Sequence, residues 1–147
     1  MNIRPLLLAV SLACAAAPSW AQTVVKDAWV RGTVAQQKAT GLFAQITSAS
    51  GGKLISVSSP VAGAVEIHEM AMADGMMQMR ALASLDLPAG KTVELKPGGY
   101  HVMLLDLKQQ IKAGETVPVM LVVEGKDGRR ESIELKAPVK ALGAGAH

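Results

Sequence analysis

From Val24 onward apolar residues recur in short runs, several of them alternating with polar ones, and each run stops at Gly, Pro or Asp. That rhythm predicts strands, not helices, and the regular spacing of the breaks favours a sandwich or barrel. Val24–Val30 alternates loosely around Trp29, a candidate core anchor. Gly41–Thr47 puts Leu42, Ala44 and Ile46 on one face and Phe43 on the other. Lys53–Ser59 sets Leu54, Ser56 and Ser58 against Ile55, Val57 and Ser59, and Pro60 ends it. Val65–Met72 and Met76–Leu82 form the next pair, followed by the short Thr92–Leu95. Tyr100–Leu107 and Val117–Glu124 are the most apolar strands, and Arg129–Leu135 closes the domain. Lys108–Ala113 is expected to make one helical turn before Gly114, and no long amphipathic helix or internal repeat is present in the sequence.

Two turns have a clear chemical signature. Gly125-Lys126-Asp127-Gly128 joins the last two strands, and Asp74-Gly75 joins Val65–Met72 to Met76–Leu82. Asp-Gly supplies the positive-φ pair of a tight hairpin. A two-residue loop at Asp74-Gly75 makes paired positions sum to 149. Ile67 then faces Leu82 and Glu69 faces Arg80 on one side, an apolar pair and an opposite-charge pair. On the other side Met70 faces Met79, Met72 faces Met77, and His68 is diagonal to Met79. A slip of one residue would mix the two sets.

The ends set the compartment. Arg4, the largely apolar Leu6–Ala17 and the small-residue site Ser19-Trp20-Ala21 read in the order of a signal peptide, with cleavage expected before Gln22. The apolar stretch is too short to span a bilayer of about 30 Å. Residues 1–21 are thus a leader, 22–140 the folded domain and 141–147 a small, Gly-rich flexible tail. Cys14 raises a lipoprotein alternative, but Ser11 stands where a lipobox has an aliphatic residue. Cleavage after Ala21 leaves no cysteine, and therefore no disulfide and no thiolate ligand. It also leaves 14 Lys and Arg against 12 Asp and Glu. That balance gives no argument for nucleic acid or an anionic membrane. No later apolar run reaches membrane length, the longest being Val117–Val123. The expected product is a soluble exported domain large enough to bury a core without disulfides.

One stretch departs from ordinary core composition. Between His68 and Met103 lie two of the three histidines and six of the eight methionines. Thioether and imidazole are the ligands that suit Cu(I). His101 and Met103 are two apart on a strand and share a face, continued by Leu105 and Leu107, while Val102 and Leu104 turn to the core. Gly98-Gly99 sets His101 near a loop mouth. If this strand end approaches the hairpin, His68, Met79, His101 and Met103 could converge. Neutral ligands leave the metal charge uncompensated and favour Cu(I) over Cu(II). Thioether is a poor ligand for zinc, and a blue-copper site needs a Cys thiolate. Affinity should fall as imidazoles protonate below about pH 6.5. Met70 is a candidate substitute ligand. Met72, Met76 and Met77 are read as packing or a flexible lip, and His147 as a surface residue.

His68, ten residues, Met79, twenty-one residues and His101-Val102-Met103 together reproduce, in identity and spacing, the motif of the periplasmic copper chaperones called PCu(A)C. Leu95-Lys96-Pro97-Gly98-Gly99-Tyr100 ahead of it also resembles that family, and the resemblance runs over about Val24 to Ala137. It implies an all-β, cupredoxin-like Greek-key β-sandwich that binds one Cu(I) through His68, Met79, His101 and Met103. It also implies delivery of copper to the CuA-bearing subunit of cytochrome c oxidase, alongside Sco-type copper proteins. Some relatives carry a His- and Met-rich C-terminal extension; with Gly143-Ala144-Gly145-Ala146-His147 at this position, a second Cu(II) site on the tail is not expected. Two other readings compete: a metal-independent exported β-sandwich that binds a protein or carbohydrate, and a periplasmic copper storage or tolerance protein. Enzyme activity is not expected, since no Ser/His/acid set, Cys/His set or phosphate loop is present in the sequence.

Overall fold

The computed structural model describes residues 22–141. The leader assigned to residues 1–21, with Cys14, and nearly all of the tail lie outside the described residues. Among the described residues there is no helix. The described residues form an all-β Greek-key sandwich of ten strands. These are β1 (Thr23–Arg31), β2 (Thr40–Ser48), β3 (Gly52–Ser58), β4 (Ala62–Ala73), β5 (Met76–Leu82), β6 (Leu85–Leu87), β7 (Thr92–Leu95), β8 (His101–Leu107), β9 (Thr116–Gly125) and β10 (Arg130–Lys140).

One layer runs β5-β4-β8-β2-β1 and the other β10-β9-β3-β6. The layers join where β1 and β10 pair in parallel at Val30–Val139 and Arg31–Lys140. Between them lies a core that includes Val30, Leu42, Ile46, Leu54, Val102, Leu104, Val117 and Leu121. Alternation explains the sorting: β2 sends Leu42, Ala44 and Ile46 inward, as the period of two requires.

Several expectations need correction. The closing strand continues past Leu135 to Lys140; its last two residues make the junction with β1, so it is longer than its apolar pattern suggests. Leu85–Leu87 adds a short strand paired to β3. Lys108–Ala113 forms no helical turn. Ile111 instead plugs the core, with its N–H donating to Thr33 Oγ1 at 2.9 Å and its carbonyl accepting from Thr33 N–H at 2.8 Å. Leu54 and Val57 are both buried, because a bulge between Leu54 and Ser56 switches the face that points inward. Leu107 likewise joins the core instead of continuing the His101–Met103 face, following Asp106 at φ 49°. Trp29 is buried, but it packs on Phe43 at 4.6 Å between ring centroids, on the face away from the core.

The hairpin register is as expected. Ile67 pairs with Leu82, Glu69 with Arg80, Met70 with Met79 and Met72 with Met77. Asp74 and Gly75 have φ of 51° and 76°, the two positive values that let a two-residue loop match strand twist. Gly125–Arg129 closes as a three-residue loop with Gly128 at φ 81°.

Candidate metal centre

β4 carries Ile67 on its core side, so Glu66, His68, Met70 and Met72 occupy the opposite face. β8 carries Val102 and Leu104 on its core side, which turns His101 and Met103 the same way. The pairing of β4 with β8 then sets Glu66 opposite Met103 and His68 opposite His101. The two imidazole rings meet edge to face, with centroids 5.6 Å apart and planes at 64°.

The loop from β7 delivers His101. β7 and β8 lie end to end along the same edge of β2. Lys96 N–H donates to the Tyr100 carbonyl at 2.8 Å and Gly99 N–H to the Lys96 carbonyl at 3.0 Å. Gly98, at φ 83°, makes the reversal possible, since a side chain there would be strained. The same turn aims the Gly99 carbonyl at His101 Nδ1, 2.8 Å away.

These hydrogen bonds define which nitrogen of each ring is available. A carbonyl can only accept, so His101 Nδ1 carries the proton and the neutral ring keeps its lone pair on Nε2. His68 Nε2 lies 2.7 Å from Glu66 Oε2. Nε2–H donates to that carboxylate, which leaves the lone pair on Nδ1. His68 Nδ1 is buried and has no hydrogen-bond partner among the described residues. A buried, unpartnered acceptor is unfavourable by roughly 1–3 kcal/mol, and a metal ion is one partner that would relieve it. Each ring thus presents one bare nitrogen while its other nitrogen is held by an oxygen, the arrangement common to metal-ligating histidines.

The methionines surround this pair unevenly. Met103 is half-buried, one position past the histidine rung on the Glu66 side. Met79 is 51% exposed. It sits on β5 opposite Met70, one rung the other way, because the residue facing His68 on β5 is Ala81. The two thioethers therefore flank the histidines from opposite ends, and β4 separates Met79 from β8. Met70, half-buried, neighbours His68 on its own strand. Met76 points to the reverse face with Ala73. Among the described residues no group of three His, Cys, Asp or Glu could hold a metal, so a metal here would depend on thioether. Glu66 was not singled out from sequence, although its spacing of two from His68 on a strand was the signal.

The comparisons with known proteins agree with this architecture. A family model described as "Putative lipoprotein LpqE-like" matches residues 23–139. A curated relative from Leifsonia xyli subsp. xyli, "Putative lipoprotein Lxx21020", is 34% identical over 100 residues, 66% of this chain and 59% of the relative. This chain thus spans less than two thirds of that relative's length. Among solved structures, the apo PCuAC domain from PmoF1 has a TM-score of 0.67 and 27% identity, covering 82% of this chain and 95% of that one. The solution structure of CuI-DR1885 from Deinococcus radiodurans has a TM-score of 0.64 and 30% identity, covering 86% and 83%. The copper-bound PCuAC domain from PmoF2 has a TM-score of 0.66, covers 82% and 94%, and at 23% identity shows the shared fold. The chain belongs to the LpqE-like family, and its fold is of the PCuAC type.

Proposed function

We propose that this chain is an exported, non-enzymatic Cu(I) carrier whose cargo is held by His68, Met79, His101 and Met103. The observation that carries the reading is the His68–His101 pair, with one buried imidazole nitrogen lacking a partner among the described residues. The donor set fits the cargo: two neutral imidazoles and thioethers suit soft Cu(I) and offer nothing to a hard cation. The copper-loaded state named for the Deinococcus protein, 30% identical to this chain, supports the same assignment. Convergence of Met79 on the histidines requires the β4–β5 ribbon to curl over the sheet face. Two-stranded ribbons twist more strongly than wide sheets, and methionine is long and flexible.

On this reading the domain works as a monomer in the periplasm and passes copper to the CuA-bearing subunit of cytochrome c oxidase, alongside Sco-type proteins. The lipoprotein names within the family support export. A cleaved leader and a lipid on Cys14 would both place the domain outside the cytoplasm. The alternative of storage or tolerance uses the same site and differs in whether copper moves on. Anaerobic Cu(I) titration against a competing chelator tests the site, and transfer to an apo-CuA domain tests the role. Loss of tight binding in His101→Ala/Met103→Ala is expected, and unchanged affinity would sink the assignment.

A further inference from the structure

The β4–β5 ribbon continues past the point where β8 ends. Pairing of β4 with β8 stops at His68–His101, whereas β4 and β5 remain paired out to Ala73–Met76. This overhang covers no core. Its reverse face carries Glu69–Arg80, Ala71–Gln78 and Ala73–Met76, chiefly an ion pair and small or polar groups suited to water. Its front face carries two successive rungs made of methionine alone, Met70–Met79 and Met72–Met77. Met72 and Met77 are 66% and 54% exposed, so burial does not explain them. β-branched or polar residues would stabilise an exposed ribbon better.

Residues opposite one another on antiparallel strands have Cα atoms about 4.5–5.5 Å apart. The next rung on the same face is about 7 Å along the strand. Three unbranched methionine side chains at such positions can reach a common point. With Met79 committed to the histidine site, the geometry points to a second Cu(I) site formed by the thioethers of Met70, Met72 and Met77, adjoining the first along one face. This inference rests on the Cu(I) reading given above. Three neutral sulfur donors suit Cu(I) or Ag(I) and exclude zinc and Cu(II) by softness. An exposed, all-thioether site on an unsupported ribbon binds more weakly than the histidine site. It suits a landing position through which cargo enters or leaves.

The test is Cu(I) titration of the full chain with methionine methyl groups labelled for NMR. Two equivalents are expected, the second lost at chelator concentrations that leave the first bound, with Met72 and Met77 methyl resonances shifting with the second. Met72→Leu/Met77→Leu should retain the first equivalent at unchanged affinity and lose the second. His68→Ala/His101→Ala should lose the first and keep the methyl shifts at Met72 and Met77. Saturation of the native chain at one equivalent, with those two methyl groups unmoved, overturns the second site while leaving the first intact. An unchanged binding curve in the leucine variant, including one accompanied by slower copper transfer, also overturns it. Failure of the histidine variant to lose the tight equivalent sinks the parent reading instead.

Discussion

His68 and His101 face each other directly across β4 and β8, their ring centroids 5.6 Å apart. Residues separated by 33 positions meet because the antiparallel register of β4 on β8 sets them opposite each other. Glu66 and the Gly99 carbonyl then hold the two outer ring nitrogens at 2.7 Å and 2.8 Å.

Glu66 is half exposed and its contact with His68 is a surface pair, worth about 0–1 kcal/mol of stability. Its effect on ligation should be larger, because it sets the tautomer and orientation of His68. Glu66→Ala is expected to weaken Cu(I) binding by roughly 10–100-fold with little change in Tm. Chelator competition and thermal unfolding on the same variant separate the two effects.

Copper binding should weaken in acid. The sign follows from competition: a proton on the ligating imidazole nitrogen excludes the metal, while thioether has no proton to gain. As the pH falls, affinity should drop by up to about tenfold per pH unit for each histidine ligand. Chelator titrations between pH 7.5 and about pH 5 measure it, with acid stability of the apo chain as the control. A flat profile would remove both imidazoles from the coordination set.

The overhang should respond to loading. In the apo chain the ribbon from Glu69 to Arg80 has no third strand among the described residues, so its amides open at low free energy. If Met79 joins the histidine site, Cu(I) pins the ribbon against the sheet. Amide hydrogen exchange at Ala71 and Gln78 should slow on addition of one equivalent, and exchange in β9 and β10 should not change.

Leu104 is fully buried between β4 and β2, paired with Val65 and Thr40. Leu104→Ala should destabilise the domain by about 2–5 kcal/mol through lost transfer energy and a residual cavity. Its side chain points away from the histidines. Cu(I) affinity of the folded fraction should therefore stay within a few-fold of the native value, as measured below the variant's Tm.

Most strands were legible because alternation and turn chemistry are local signals. Asp74-Gly75 by itself set the register of β4 on β5, including Glu69–Arg80 and both methionine rungs. The misread positions are those where a non-local contact overrides the local pattern. The bulge between Leu54 and Ser56 and the positive φ of Asp106 each change which residue faces the core. Pro138 and its neighbours look like a strand's end, yet they pair with β9 and lead into the junction with β1. Ile111 lies in a segment whose composition suits a helical turn, and its two hydrogen bonds to Thr33 hold it as a loop.

The chain's own sequence determined the donor types, their spacing and the face each shares with its strand neighbours, since these depend only on a period of two and one tight turn. Which strands lie side by side was decided by the tertiary structure. Strand order follows from how the two layers bury their apolar faces together, a property of the whole chain. That packing puts β8 next to β4 and so His101 against His68. It leaves Met79 and Met103 on opposite sides of the pair, and among the described residues it leaves the methionine ribbon without a third strand.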